Sequence, residues 1–288
     1  MDDQLPGDST VRMLEAQSAL GWILILEGEL DEAEEILTST LERQRMILKK
    51  DNPSIWMTTT NLARALSMNG QYDKAEALQL DVLAYHRRQS SSHSPDSLNA
   101  MNNLALTYRH QGRLIEAEKM FKDVLAEWND TDPTRPSLAL TVQNNLALVL
   151  KDQGALDKAE KLLKSTIEGN KARFGDSHPI TVTSMDSLFL TYIAQDRLED
   201  AKEIGAKVEK LFRAVLGDKH PRFLSASRQL RGLQRSIERR FDRNLEHLQI
   251  DDQIGTRAFF RSNIGSGFLF DHDDYGIDGM YGFHKCNR

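Results

Sequence analysis

The 288-residue sequence is poor in cysteine and has no long apolar run, and each shortage excludes a class of protein. Its single cysteine, Cys286, cannot form an intramolecular disulfide, which excludes a disulfide-stapled secreted scaffold. Its longest apolar run, residues 22–26, is far shorter than the roughly 20 residues that a membrane span requires. The first residues also lack the basic and apolar stretches of a signal peptide. We therefore expect a cytoplasmic protein without a membrane span.

Basic residues are also fewer than acidic ones. The sequence has 37 basic and 43 acidic residues, which gives a net charge of -6. A dedicated nucleic-acid-binding protein usually carries the opposite excess, because the phosphate backbone attracts Lys and Arg. The balance therefore disfavours nucleic acid as the partner.

Proline is scarce as well, with 7 residues, but its positions are regular. Four prolines are separated by 42 residues or by a multiple of 42, namely Pro53, Pro95, Pro179 and Pro221. Pro136 lies one residue from the missing member of this series. Glycine and alanine keep the same period, at Gly28, Gly70, Gly112 and Gly154, with Asp196 at the next place, and at Ala33, Ala75, Ala117, Ala159 and Ala201. A fixed period of this size indicates a repeat array or solenoid.

The segments between these markers have the period of an α-helix. Met101, Leu104, Ala105 and Tyr108 recur at i, i+3, i+4 and i+7. A turn at residues 111–113 ends this helix, and a second apolar stripe follows over residues 114–125. Each repeat is therefore predicted to contain a first helix (A), a tight turn, a second helix (B) and a linker marked by proline.

Two in-phase positions of helix B predict how the pairs pack. The alanine position predicts a close crossing of helices A and B, where a larger side chain would overpack the contact. Large apolar residues three positions later are expected to fill the layer beside it, at Ile36, Leu78, Met120, Leu162 and Ile204.

These motifs resemble the tetratricopeptide repeat in its 42-residue form, as found in kinesin light chains. The resemblance rests on Asn-Leu-Ala in helix A (61–63, 103–105 and 145–147), on the turn motif of residues 70–76, and on linkers such as residues 174–179. It covers about residues 11–240. It implies an all-α fold, a right-handed superhelical solenoid of five helix pairs followed by a capping helix.

The expected domain organisation follows the repeat. A flexible N-terminus (1–10) precedes five repeats, and an amphipathic capping helix (221–249) precedes an irregular tail (250–288) that is rich in glycine and aromatic residues and is predicted to be disordered. The five repeats are 11–52, 53–94, 95–136, 137–178 and 179–220. The capping helix has arginines off its apolar stripe, which form either a solvated face or a basic patch for an acidic partner. These arginines are Arg228, Arg231, Arg235, Arg239 and Arg243.

No combination of residues indicates catalysis. Asp271, His272, Asp273, Asp274 and Asp278 suggest a calcium loop, but no glutamate follows to close it. No zinc, redox or nucleophile motif is present. We therefore expect a protein that is not an enzyme and that needs no cofactor or metal.

The A helices carry the candidate binding residues. In tetratricopeptide repeat proteins they line a concave groove that binds peptide segments, and the resemblance implies that Asn61, Asn103 and Asn145 contact the main chain of a ligand. Asn102 and Asn144 flank the same face, and an amide offers both a donor and an acceptor. Arg64, Arg109 and Lys151 would favour an acidic peptide. The alternative is that the asparagines link each A helix to its neighbour.

The predicted function is a non-catalytic adaptor or scaffold that binds a peptide segment of a partner protein in this groove. The alternative is a regulatory or cargo-binding fragment of a larger system, either a nucleotide-binding switch or a kinesin-light-chain-like assembly. The sequence itself has no Gly-x-x-x-x-Gly-Lys-Ser/Thr loop for phosphate.

Overall fold

The computed structural model describes residues 8–89, 94–131 and 136–247, and within these ranges the chain forms eleven helices and no strand. The A helices are α1 (Asp8–Glu27), α3 (Pro53–Met68), α5 (Pro95–His110), α7 (Pro136–Asp152) and α9 (Pro179–Ala194). The B helices are α2 (Leu30–Ile47), α4 (Tyr72–Gln89), α6 (Leu114–Thr131), α8 (Leu156–Phe174) and α10 (Leu198–Leu216). The last helix is α11 (Pro221–His247).

The chain divides into two compact units after Asp196. The first unit contains α1 to α9, and the second contains α10 and α11. The division falls inside the fifth predicted repeat, 179–220. The predicted tail, 250–288, lies outside the described residues, and so does the acidic segment that contains Asp271.

Proline begins every A helix after α1, because its fixed φ suits the first helical turn and its missing N–H would have no partner there. In α3 and α9 a side chain just before the proline caps the helix. Asn52 Oδ1 accepts a hydrogen bond from the Ser54 amide (2.9 Å), and His178 Nδ1 accepts one from the Ile180 amide (3.3 Å). The sequence predicts capping or packing for His178, and the structure confirms capping.

The turns between helices A and B need a residue with positive φ. Gly112 has φ +77° and its amide donates to the Arg109 carbonyl (3.0 Å), while the Arg113 amide donates to the Tyr108 carbonyl (2.9 Å). These bonds satisfy carbonyls that would otherwise lack a partner at the helix end. At the fifth turn Asp196 adopts φ +58°, so the left-handed conformation persists without glycine.

In the first unit each helix packs against the next one in sequence, and α1 with α3, α5 with α7, and α7 with α9 are also in contact. The repeating alanines are fully buried at these crossings, as predicted, at Ala33, Ala75, Ala117 and Ala159. The large apolar residues predicted beside them are half-buried, and four of them pack against the buried clusters, at Ile36, Leu78, Met120 and Leu162. The fully buried residues are one position later, at Leu37, Phe121 and Leu163, because successive helical residues point about 100° apart.

A second link between repeats uses the glutamate that follows the alanine. The amide Nε2 of Gln111 donates to Glu76 (2.8 Å), that of Gln153 to Glu118 (2.8 Å), and that of Gln195 to Glu160 (2.9 Å). The turn of one repeat is thereby bonded to the first turn of the preceding helix B. Both residues of the Ala-Glu motif therefore have a structural role. The alanine is buried where the helices cross, and the glutamate accepts a hydrogen bond from the next repeat.

In the second unit α11 packs against α10. Its buried apolar residues are Phe223, Ala226, Leu230 and Leu233, which confirms the first part of the predicted apolar stripe, and Ile237 and Phe241 further along it are half-buried. The Arg213 guanidinium lies 4.9 Å from the centre of the Phe223 ring. The five predicted arginines of α11 are exposed. Across both units, none of the described helices is long and apolar enough to cross a membrane.

Candidate functional site

The polar centre of the A-helix surface is a chain of three asparagine amides on α5 and α7. Asn145 Nδ2 donates to Asn102 Oδ1 (3.0 Å), and Asn102 Nδ2 donates to Asn103 Oδ1 through a longer contact of 3.5 Å. We call these three residues the amide relay. Asn102 is buried, with 7% of its surface exposed, and the other two are half-buried. Asn102 therefore fixes the orientation of its two more accessible neighbours.

Each outer member of the amide relay keeps one hydrogen-bonding group unused. Among the described residues, Asn103 Nδ2 and Asn145 Oδ1 have no hydrogen-bond partner within the chain. The first is a donor and the second is an acceptor. A peptide main chain carries the complementary groups, an accepting C=O and a donating N–H.

The relay does not continue into α9. Ser187 occupies the position that Asn145 has in α7, and its hydroxyl donates to the Thr183 carbonyl of its own helix (3.1 Å). Asn144, which corresponds to Asn102, is buried, and its Oδ1 has no partner among the described residues. The relay is therefore confined to α5 and α7.

The structure places Asn61 and Arg64 one repeat earlier, on α3. Asn61 Nδ2 donates to the Ser18 hydroxyl of α1 (3.5 Å), and the Arg64 guanidinium lies 4.7 Å from the centre of the Trp22 ring. Stacking of this kind is favourable and holds the cation over the aromatic face. Both residues thus share the A-helix surface with the relay but contact α1.

The five sequence-predicted asparagines therefore do not all make the same contacts. Asn61 and Asn145 each donate to the preceding A helix, as the alternative interpretation expects. Asn103 and Asn145 also retain the free groups described above. The linking role and a ligand-binding role are compatible, because an asparagine side chain has both an NH2 donor and a C=O acceptor. One group can bond to the neighbouring helix while the other bonds to a ligand.

Cationic side chains lie at the C-terminal ends of α5 and α7. Arg109 Nε and Lys151 Nζ both approach the Asp152 carboxylate, at 2.6 Å and 2.8 Å. Burial of Asp152 opposes its ionisation, but the hydrogen bonds from Arg109 and Lys151 outweigh burial and hold the pKa of the carboxyl below its usual value. The cluster has one net positive charge.

Asp152→Asn is expected to lower the free energy of unfolding by roughly 0.5–1 kcal/mol at neutral pH, since it removes a charged partner from two cations. A lowered folded-state pKa contributes stability above the unfolded value of about 3.9, and that contribution is lost as pH falls through the folded value. Urea unfolding at about pH 7 and about pH 3 measures this difference. The control is Asp123→Asn, an exposed carboxylate on α6, for which we expect no comparable loss. A difference between wild type and Asp152→Asn that persists unchanged at the lower pH would contradict this assignment.

Sequence reasoning missed Asp152 and Trp22. Asp152 follows Lys151 directly, so only the spacing of Arg109 to Asp152 across one repeat could have indicated the ion pair.

Leu106 and Leu148, which lie on the same surface, are half-buried and offer apolar contact. Within the ranges that the structure describes, no group of three or more His, Cys, Asp or Glu side chains is placed to hold a metal ion.

The sequence matches the family model of the tetratricopeptide repeat over residues 12–87, 54–126 and 138–214. These matches together span more than half of the chain. A comparison with curated protein sequences gives no match.

Solved structures of similar fold come from several proteins. A putative kinesin light chain from Podosopora anserina with nearly identical TPR-like repeats is 26% identical, with a TM-score of 0.55, and the match covers 70% of this chain and 96% of that one. BtubC (BKLC) from P. vanneervenii is 20% identical, with a TM-score of 0.55, covering 72% and 84%.

The third similar structure is NprR of B. thuringiensis, in complex with its cognate peptide NprX. It is 16% identical, with a TM-score of 0.62, and the match covers 91% of this chain and 74% of that one. At this identity, the likeness to BtubC and to NprR shows the fold alone.

Proposed function

Because the chain belongs to the tetratricopeptide repeat family, we propose that it is a non-catalytic adaptor that binds a peptide segment of a partner protein on the A-helix surface of its first unit. The observation that carries this proposal is the pair of free groups at Asn103 and Asn145, which the amide relay holds in place. A scaffold of this kind acts by bringing partners together and needs no reacting group. Its composition, with one cysteine, suits a reducing compartment such as the cytoplasm.

The ligand in this proposal is an extended segment. Its main chain accepts a hydrogen bond from Asn103 Nδ2 and donates one to Asn145 Oδ1. An apolar side chain packs on Leu106 and Leu148, and an acidic residue lies near Arg109 and Lys151, whose cluster with Asp152 keeps one net positive charge. The peptide bound to NprR on a similar fold supports the ligand class.

Asn103→Ala/Asn145→Ala is expected to weaken peptide binding roughly ten-fold or more, because each lost hydrogen bond contributes about 0.5–1.5 kcal/mol. A binder is first selected from a phage-displayed random peptide library on the full chain. Its affinity for wild type and variant is then measured by fluorescence anisotropy. Asn69→Ala is the matched control, since Asn69 is an exposed asparagine that caps the end of α3, donates to Asp31 of α2 (2.9 Å) and is not part of the amide relay.

Thermal unfolding of the same proteins separates binding from folding, because Asn145 also bonds to Asn102. A folded double variant that binds every selected peptide as wild type does would contradict the proposed site. Asn103→Asp is a useful third variant, since it keeps the acceptor for Asn102 and replaces the free donor with a charged acceptor. We expect it to weaken binding while the melting temperature stays close to wild type.

A second candidate function is cargo binding in a kinesin-light-chain-like system, and the 26% identity to a putative kinesin light chain favours it. It uses the same surface but requires attachment to a motor subunit. Co-sedimentation of the full chain with a microtubule-bound kinesin heavy chain distinguishes the two functions. A chain that attaches to the motor subunit is found in the pellet, and an unattached adaptor stays in the supernatant.

A further inference from the structure

Helix α11 exposes a stripe of positive charge in a protein that is acidic as a whole. Residues 221–243 of this helix include seven arginines and two acidic residues, a net charge of +5, whereas the whole chain has a net charge of -6. Five of the arginines are exposed at spacings of three or four residues, which places them on one side of the helix over about 22 Å. We call them the arginine stripe: Arg228, Arg231, Arg235, Arg239 and Arg243.

No carboxylate among the described side chains pairs with the arginine stripe. Arg243 Nε donates to the Arg239 carbonyl of the same helix, at 3.4 Å, which neutralises no charge. The two acidic residues of this part of α11, Glu238 and Asp242, are half-buried. Like charges four residues apart destabilise a helix, so an acidic segment along the stripe would stabilise α11.

The same chain contains a segment of complementary charge. Residues 262–284 include four aspartates and no Lys, Arg or Glu, and all four aspartates fall within residues 271–278. Residues 248–270, which connect this segment to α11, include two acidic and two basic residues and so have no net charge. The acidic segment lies outside the described residues, and its charge follows from the sequence. It is therefore the concentrated negative charge nearest to α11 on its C-terminal side.

We propose that residues 271–278 bind the arginine stripe of the same chain. The 23 connecting residues can span up to about 76 Å. Arg228, the far end of the stripe, lies only about 28 Å from the end of α11, so the whole stripe is within reach. When bound, the segment shields the stripe from other acidic partners, and the contact is thus autoinhibitory.

The spacing of the charges also agrees. In an extended segment Asp271 and Asp273 lie on one side and are about 6.6 Å apart. Arginines four residues apart on a helix are separated by a rise of about 6 Å. The two aspartates can therefore face successive arginines of the stripe, for example Arg235 and Arg239.

Two other kinds of acidic surface fit the arginine stripe less well. A helix that binds an anionic membrane inserts its apolar side into the lipid, but Phe223, Leu230 and Leu233 of α11 are buried. A single-stranded nucleic acid is bound through aromatic side chains that stack on its bases, and no aromatic side chain is exposed on residues 221–243. Charge alone is offered to a partner, which suits a short run of carboxylates.

A spin label in the acidic segment tests the contact on the full chain. Ile277→Cys/Cys286→Ser leaves one thiol, next to Asp278, for a nitroxide label. Paramagnetic broadening of the α11 amide signals is then measured by NMR. We expect broadening along residues 228–243 at low salt and recovery of the signals in about 1 M NaCl, where the Debye length is about 3 Å. Absence of broadening at low salt overturns the proposal.

Charge variants of the labelled chain show which arginines matter. Arg231→Gln/Arg235→Gln/Arg239→Gln is expected to lose the broadening with unchanged helical circular dichroism, because these side chains are exposed. The matched control is Arg43→Gln/Arg45→Gln/Arg88→Gln, which removes the same charge from exposed positions of α2 and α4 and is expected to keep the broadening. Broadening that survives the α11 variant, or that is lost equally in the control, overturns the proposal.

Two further measurements distinguish the other occupants. In a mixture of labelled chain and isotope-enriched unlabelled chain, broadening of the enriched α11 signals would assign the contact to a second copy and overturn the intramolecular proposal. A fluorescent polyglutamate peptide tests the shielding. It is expected to bind the full chain more tightly after Asp271→Asn/Asp273→Asn/Asp274→Asn/Asp278→Asn, and equal affinity for both chains would contradict autoinhibition.

Discussion

Phe121→Ala is expected to lower the free energy of unfolding by ~3–5 kcal/mol, because it leaves a cavity in a buried apolar cluster of the first unit. Phe121 lies on α6 and is fully buried in a cluster that includes Leu104 of α5 and Val142 of α7. Its loss thus removes contacts between two consecutive repeats. In a solenoid each repeat is stabilised mainly by its neighbours, so the loss affects both.

Urea unfolding followed by circular dichroism measures this effect. Ile115→Ala is the matched control, since Ile115 lies on the same helix and is 81% exposed. We expect the control to change stability by less than about 0.5 kcal/mol. A loss below about 1 kcal/mol for Phe121→Ala would contradict the burial of its side chain.

Ala117→Leu is expected to be the next most damaging change, with a loss of about 1–3 kcal/mol. Ala117 is fully buried and, like the other repeating alanines, sits where helix B crosses helix A. Three additional carbon atoms have no space there, so the helices must separate or the new side chain must leave its preferred rotamer. The substitution adds apolar volume, which by hydrophobicity alone would stabilise the fold. A loss of stability therefore indicates overpacking at the helix crossing.

The control for this substitution is Ala126→Leu, because Ala126 is exposed on the same helix. It makes the same chemical change and is expected to be nearly neutral. Melting temperatures of both variants provide the measurement. Equal stability of Ala117→Leu and Ala126→Leu would mean that the crossing is not close.

The helix pairs could be predicted from the sequence because proline, glycine and alanine each mark one point of the repeat. Pro53 begins α3 and Gly112 takes the positive φ of its turn, as the residue types require. The apolar stripe predicted for α6 contains both Met120 and Phe121, but the sequence does not show that Phe121 is fully buried while Met120 is half-buried against the same cluster. Both residues are apolar, and only the rotation of helix B about its own axis decides between them.

The candidate site was only partly predictable. The sequence identifies Asn103 and Asn145 as candidates, but the amide relay depends on a bond between side chains 43 residues apart. Likewise, Arg109 pairs with Asp152 across 43 residues, which the local sequence does not show. Counting Arg109 and Lys151 as cations without Asp152 therefore overestimates the positive charge of the surface. Contacts between helices decide which polar groups remain available to a ligand, and no local pattern reports them.

Hydrogen–deuterium exchange of the full chain, with and without a selected peptide, tests the proposed binding surface most directly. We predict that bound peptide slows exchange in α5 and α7, around Asn103 and Asn145, while the B helices α6 and α8 are unchanged. Protection confined to the B helices, or to the second unit, would contradict the proposal that the A-helix surface binds the peptide.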